Sequence, residues 1–330
     1  MKFNERARLD TSQVQDRRGN GGGGGGGGFG GGGVRLPRGK GGLAAGGGGI
    51  GLIVIVVIVL FNVFGGSGGG STTDTSGGGL GGLLSNGLGA VGQGQTADNA
   101  TLDQECRTGA DANTNDACAA VAVINSVQAY WADALAASGT TYREADTVFY
   151  RGQTQTGCGT GSSGMGPFYC PADTTVYVDL TFWDDLRTQF GANDAAFTQA
   201  YVLAHEYGHH VQNLLGTSDQ VGQATGPDSG SVRLELQADC YAGTWADHAT
   251  TVPGADGEVL ITEITDADIA AGVETAGKIG DDSIMGRNGG QVDTSRFSHG
   301  SAEQRQKWLT TGLQSGDPAA CNTFDTADLG

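Results

Sequence analysis

The chain has 330 residues, 62 of them Gly, and a formal net charge of −18. Residues 1–40 hold eight basic side chains (Lys2, Arg6, Arg8, Arg17, Arg18, Arg35, Arg38, Lys40) against three acidic ones (Glu5, Asp10, Asp16), so this arm is +5 and the other 290 residues are −23. That asymmetry excludes a uniform soluble domain, and an acidic main body repels phosphate, which excludes nucleic-acid binding there.

In chain order, residues 1–41 read as a Gly-rich basic arm with too little apolar surface to order itself. No ionisable side chain occurs between Lys40 and Asp74, and Ile50 to Phe64 reads IGLIVIVVIVLFNVF. Fifteen helical residues rise only ~22 Å against a hydrocarbon core of ~30 Å, but the uncharged residues back to Leu43 make up the difference. Residues 42–64 are therefore expected to cross a lipid bilayer as a helix. A cleaved signal peptide fits less well, because the charged region is long and no small-x-small pattern follows Phe64 closely. The basic arm then stays in the cytoplasm and the rest lies outside the cell membrane. All six Cys lie beyond residue 105, as an oxidising compartment permits. Residues 65–100, rich in Gly and Ser, read as a linker.

Residues 101–330 have the composition of one sizeable domain. Helical spacing of Val121, Ile124, Val127, Trp131 and Leu135 predicts a helix over 116–138. Residues 147–150 and 174–180 are β-rich, and the second is a candidate edge for an extended peptide. A helix follows from Phe182. Another is expected over 193–215 with Asn193 as N-cap and Gly216 at its end, then 231–248, 265–278 and one opened by the Ser301 to Gln304 capping-box spacing. The expected fold class is α+β, helix-rich, with a small β-sheet.

The helix over 193–215 contains Ala204-His205-Glu206-Tyr207-Gly208-His209-His210, an H-E-x-x-H pattern. Residues i and i+4 share a helix face, so His205 and His209 can bind one Zn²⁺ while Glu206 is angled toward a water on the metal. A catalytic site needs a third ligand. Gln212 and Leu215 stand where a metzincin extension needs Gly and His, so that class is excluded. The next helix carries Glu235 and Asp239, two carboxylates four apart among Leu234, Leu236 and Ala238. Such a pair repels on an exposed face. It becomes favourable if Glu235 binds the metal and Asp239 accepts a hydrogen bond from the far nitrogen of a ligand imidazole.

HEYGHHVQ, followed by SVRLELQADCYAGTWA and FSHGSAEQR, resembles the neutral zinc metallopeptidase family typified by YpfJ. The resemblance runs from about Cys106 to Phe324, including GMGPFYCPADTTVYVDLTFWDDL, DDSIMGR and GDPAACNTF, and leaves the Gly-rich arm outside it. Its pairing of HExxH with ExxxD is similar to that of gluzincins. This implies a helix-rich gluzincin-like domain and one zinc held by His205, His209 and Glu235.

Zinc would bring the pKa of a water toward ~7, with Glu206 taking its proton as a peptide carbonyl is attacked. The oxyanion needs a further donor. His299, on a loop just before a helix, is the candidate, with Tyr201 and Tyr241 as alternatives. His210 lies about 100° round the helix from His209 and should face away from the metal. His248 is placed near a helix C-terminus, where partial charge is favourable without function. Six Cys allow 15 pairings. Short loops favour Cys106 with Cys118 and Cys158 with Cys170, leaving Cys240 with Cys321 to fasten the chain's end to the Glu235 helix. Two functional classes follow: a membrane-anchored zinc endopeptidase acting on peptides or proteins, or a non-catalytic extracellular binding module that retains a zinc site.

Overall fold

The computed structural model describes residues 1–20 and 98–330, apart from residues 194 and 223. Residues 42–64, expected to span a membrane, lie outside the described residues, as does most of the linker over 65–100. Among the described residues no helix is long and apolar enough to cross a membrane.

The first twenty residues correct the expectation of a disordered arm over 1–41, whose remaining residues lie outside the described ones. Strand β1 (Lys2–Phe3) pairs antiparallel with β8 (Ile261–Glu263), and β2 (Val14–Asp16) pairs in parallel with β3 (Asp146–Tyr150). Phe3, Ala7 and Val14 are buried in the main core. Arg18 grips Asp16 through two hydrogen bonds of 2.8 and 2.6 Å and lies over the Phe149 ring. Charges that looked like a topology signal are therefore partly internal pairs of the fold. Residues 1–20 thus share two sheets with residues after 98.

The main sheet has the order β2-β3-β7-β6, where β6 is Phe168–Cys170 and β7 is Thr175–Asp179. Strands β2, β3 and β7 are parallel, and β6 runs antiparallel to β7. All five residues of β7 are buried, including the alternating Tyr177 and Asp179. The strand predicted over 174–180 is thus interior, not the candidate edge. The edge is β6. A hairpin of β4 (Gln153–Thr156) and β5 (Gly159–Ser162) stands beside it, joined to the end of β6 by the Cys158–Cys170 disulfide.

Short helices α1 (Ala100–Glu105) and α2 (Gly109–Ala112) lead into α3 (Asp116–Ala137). The predicted stripe Val121, Ile124, Val127, Trp131 and Leu135 is at most 5% exposed. After α4 (Phe182–Thr188) come the long helices α5 (Ala196–Leu214) and α6 (Gly230–His248). Asn193 is not the cap of α5: the helix begins three residues later with Ala195 as N-cap and no side-chain hydrogen bond there. Gly216 stands just past its end in the left-handed conformation (φ 71°), a position that suits Gly because it has no Cβ. Thr265 and Ser301 cap α7 (Asp266–Lys278) and α9 (Ala302–Ser315) with full capping boxes, on either side of the short α8 (Asp281–Gly286). The nine helices and small sheets described are an α+β architecture.

Two glycines set the helix spacing on which the site depends. A Cβ on Gly208 would lie 3.0 Å from Ala238 Cα, and one on Gly312 would lie 2.0 Å from the Cys240 carbonyl oxygen. Backbone-to-backbone approach of α5 to α6, and of α6 to α9, therefore requires glycine at both crossings.

Candidate metal centre

His205 and His209 project from α5 toward α6, as their i,i+4 spacing dictates, and Glu235 on α6 meets them. The Glu235 carboxylate lies 3.2 Å from His205 Nε2 and 3.5 Å from His209 Nε2. One donor atom from each of the three residues lies within 4.8 Å of the others, and all three side chains are buried. Apolar packing surrounds them on α5, with Phe197, Tyr201, Leu203 and Tyr207 at 1% exposure or less. Polar side chains in such surroundings need partners.

Those partners fix the rings. His205 Nδ1 donates to Asp239 Oδ1 at 2.8 Å, the arrangement expected from the ExxxD spacing. Arg305, on α9, holds the same carboxylate through Nε at 2.8 Å and Nη2 at 2.9 Å. Tyr201 donates its O–H to Asp239 at 2.6 Å and accepts from Arg305 at 3.2 Å. His209 Nδ1 donates to Gln212 Oε1 at 2.9 Å. With both Nδ1 atoms occupied, both Nε2 atoms face Glu235. Two imidazole nitrogens and a carboxylate suit Zn²⁺ well, and three protein ligands leave a coordination position open.

Burial and charge act on these groups in opposite directions. Burial pushes the Glu206 carboxyl up to about 7 despite His205 nearby. At His209, burial dominates and brings the ring down to about 4. Burial also opposes a charge on His205, but Asp239 and Glu235 outweigh it and raise the metal-free ring to about 10. Asp239, buried likewise, is held down at about 2 by Arg305 and His205. Glu235 is driven low against its own burial by His209 and His299. The pocket is thus poised to take a cation in place of a proton.

Glu206 accepts a 2.9 Å hydrogen bond from the backbone N–H of Tyr169 on edge strand β6. His299 is 8% exposed and close enough to Glu235 to be raised by its charge. Its Nδ1 lies 3.2 Å from Asp281 Oδ1 and 3.1 Å from the Ser298 hydroxyl. The other Asp281 oxygen accepts from three successive backbone N–H groups, those of Ser298, His299 and Gly300. Of the alternative donors, Tyr201 gives its O–H to Asp239, and Tyr241 packs edge-on against Trp131. His210 faces away from the metal group, as expected, but inside the protein: Nε2 donates to the Arg143 carbonyl at 2.6 Å, and Nδ1 accepts from the Tyr169 hydroxyl at 3.0 Å. His248, at the end of α6, donates to the Gly316 carbonyl at 3.0 Å.

All three disulfides pair as the loop lengths favour: Cys106–Cys118, Cys158–Cys170 and Cys240–Cys321. Sequence reasoning overlooked Arg305, Asp281 and the constructive part of Gln212. Each is supplied by an element distant in the chain or was read only as a departure from another pattern. Arg305 and Asp281 do stand in the quoted segments FSHGSAEQR and DDSIMGR, which was the available signal.

Residues 1–324 match the family described as "Putative neutral zinc metallopeptidase". The chain belongs to this family. The match includes the first hundred residues, beyond the span from which the resemblance was first drawn. Among curated relatives, an uncharacterized protein of Mycobacterium tuberculosis strain H37Rv is 48% identical over 228 residues, which are 68% of this chain and 76% of that protein. The uncharacterized protein YpfJ of Escherichia coli K12 is 46% identical over 208 residues, 61% of this chain and 69% of its own length. No solved structure matches.

Proposed function

We propose that this neutral zinc metallopeptidase family member is a zinc-dependent endopeptidase with Glu206 as general base. The observation that carries the reading is the meeting of His205, His209 and Glu235, with both imidazoles turned by Nδ1 partners, beside a carboxylate that ligates nothing. A structural zinc site normally closes with four protein ligands, and an idle buried glutamate has no place in one. Held by these three residues, zinc supplies Lewis acidity toward a water and a peptide carbonyl.

The chain's own groups divide the remaining work. Glu206 takes the proton of the attacking water on a carboxylate oxygen and returns it to the leaving amine. Tyr169 N–H holds that carboxylate in place, which also puts the edge strand β6 beside the base, where an extended peptide can align by strand addition. His299 is the further donor to the developing oxyanion: Asp281 engages Nδ1, leaving Nε2 to donate, and Glu235 and Asp281 favour the protonated ring against burial. Three disulfides fit an oxidising compartment, so we place the folded body, with its first twenty residues, outside the cytoplasm.

The test is hydrolysis of casein by the zinc-loaded full chain, with and without chelator. Turnover is expected to vanish with chelator and to fall by at least 100-fold in Glu206→Gln, within the range for loss of a general base. A folded, zinc-loaded protein without turnover would leave the non-catalytic binding module as the correct reading.

A further inference from the structure

His209 is oriented by an amide, and that amide does not stand alone. Gln212 Oε1 accepts from His209 Nδ1, while Gln212 Nε2 donates to the Leu234 carbonyl at 2.7 Å and to Gln237 Oε1 at 3.1 Å. Gln237 Nε2 in turn donates to the Cys321 carbonyl at 3.0 Å. Gln212 and Gln237 are 0% and 5% exposed, so water cannot substitute for any member. Cys321 is held against the same helix as Gln237 by its disulfide to Cys240.

The direction of this relay is imposed from its far end. Backbone carbonyls only accept, so the Cys321 and Leu234 oxygens demand the NH₂ ends of both glutamines. Turning Gln237 round would set its oxygen against the Cys321 carbonyl and its NH₂ against that of Gln212, and turning Gln212 round would set its oxygen against both the Leu234 and Gln237 oxygens, at a cost of about 1–3 kcal/mol per orphaned buried group. With both amides fixed, Gln212 presents only an oxygen to His209. The ring must then carry its hydrogen on Nδ1, and Nε2 keeps its lone pair.

We infer that the C-terminal segment anchored by Cys240–Cys321 is a positioning element of the metal centre, which selects the metal-binding tautomer of His209 through Gln237 and Gln212. The two ligand imidazoles are therefore set by different devices: a charged one at His205, built from Asp239 and Arg305, and a neutral one at His209 that depends on a disulfide. This rests on the three-ligand zinc site of the proposed function but not on peptidase activity. Loosening the segment weakens zinc binding without touching a ligand.

The experiment uses the full chain. Nitrogen-15 NMR of the metal-free wild type should show His209 as the Nδ1–H tautomer. Zinc affinity, measured by competition with a fluorescent chelator, should fall about 10- to 100-fold in Gln237→Met, the range expected for lost partners of a metal ligand. The Cys240→Ala, Cys321→Ala double variant should fall in the same direction, with helix content checked by circular dichroism. An Nε2–H ring at His209 in the wild type overturns the inference even if no variant folds. So does unchanged zinc affinity in folded variants. If zinc binds as described but casein is not cut, the peptidase reading fails and this one stands.

Discussion

Asp239 and Arg305 form a buried ion pair whose two members are 0% and 4% exposed in their side chains. Removing one partner of such a pair leaves a bare charge in the interior and typically costs about 3–5 kcal/mol. Arg305→Met should therefore lower the urea midpoint sharply. Adding Asp239→Asn should recover part of the stability while zinc affinity stays low, because His205 has lost its carboxylate. A cost below about 1 kcal/mol for the single variant would show that the carboxylate is neutralised otherwise. His205, Glu206, His209, Glu235 and Asp239 were legible because spacing within one helix fixes which side chains share a face. Arg305 and Asp281 were not legible, since their proximity to the site is created by the close α6–α9 crossing and by a loop, and neither has a signature in local spacing.

The strands taught a different lesson about what alternation means. Val176 and Val178 alternate with Tyr177 and Asp179, yet β7 is paired on both sides and all of its residues are buried, not at the candidate edge. Asp179 is tolerated there because it sits at the strand's end and accepts from Gly152 N–H at 2.9 Å, Thr181 N–H at 3.0 Å and the hydroxyls of Ser163 and Thr181. Burial alone would raise its pKa, but these hydrogen bonds outweigh burial and depress it. A depressed carboxyl contributes stability that is fully present above its unfolded value of about 3.9 and is lost as pH falls through the lower folded value. Urea unfolding of Asp179→Ala should thus show a deficit of roughly 1.5–3 kcal/mol at pH 7 that shrinks below about pH 4. A deficit that grows toward acid would mean the carboxyl is not held ionised in the fold. The longer helices were read to within about three residues, whereas the short helices α1, α2 and α8 and the three-residue strands β6 and β2 are too short to show a period.

For the molecule as a whole, the largest revision concerns its first twenty residues. Their basic side chains suggested a tail, because charge and glycine dominate the local composition. Phe3, Ala7 and Val14 carry the opposite message, but three apolar residues without a regular period make no pattern. Burying residues such as Phe and Val is worth about 1.5–3 kcal/mol each. Deleting residues 1–18 should therefore remove several kcal/mol from a domain with the usual margin of about 5–15 kcal/mol. Thermal unfolding of the truncated chain is expected to show a large drop in Tm or loss of soluble protein, and an unchanged Tm would return these residues to the status of a tail.

The pairing of β1 with β8 also bears on how the chain is made. Lys2 lies opposite Glu263, so β1 finds its strand partner only once residues 261–263 have been made. Contacts of such sequence separation close late and slow folding. The three candidate metal ligands on α5 and α6 precede Ile261 in the chain, whereas Arg305 and Cys321, whose contacts orient the ligand rings, follow it, so the centre can be completed only after β8 has been made. Until then β1 lacks its partner, whereas β2 can already pair with β3, and an unpaired strand edge of this kind is prone to aggregation.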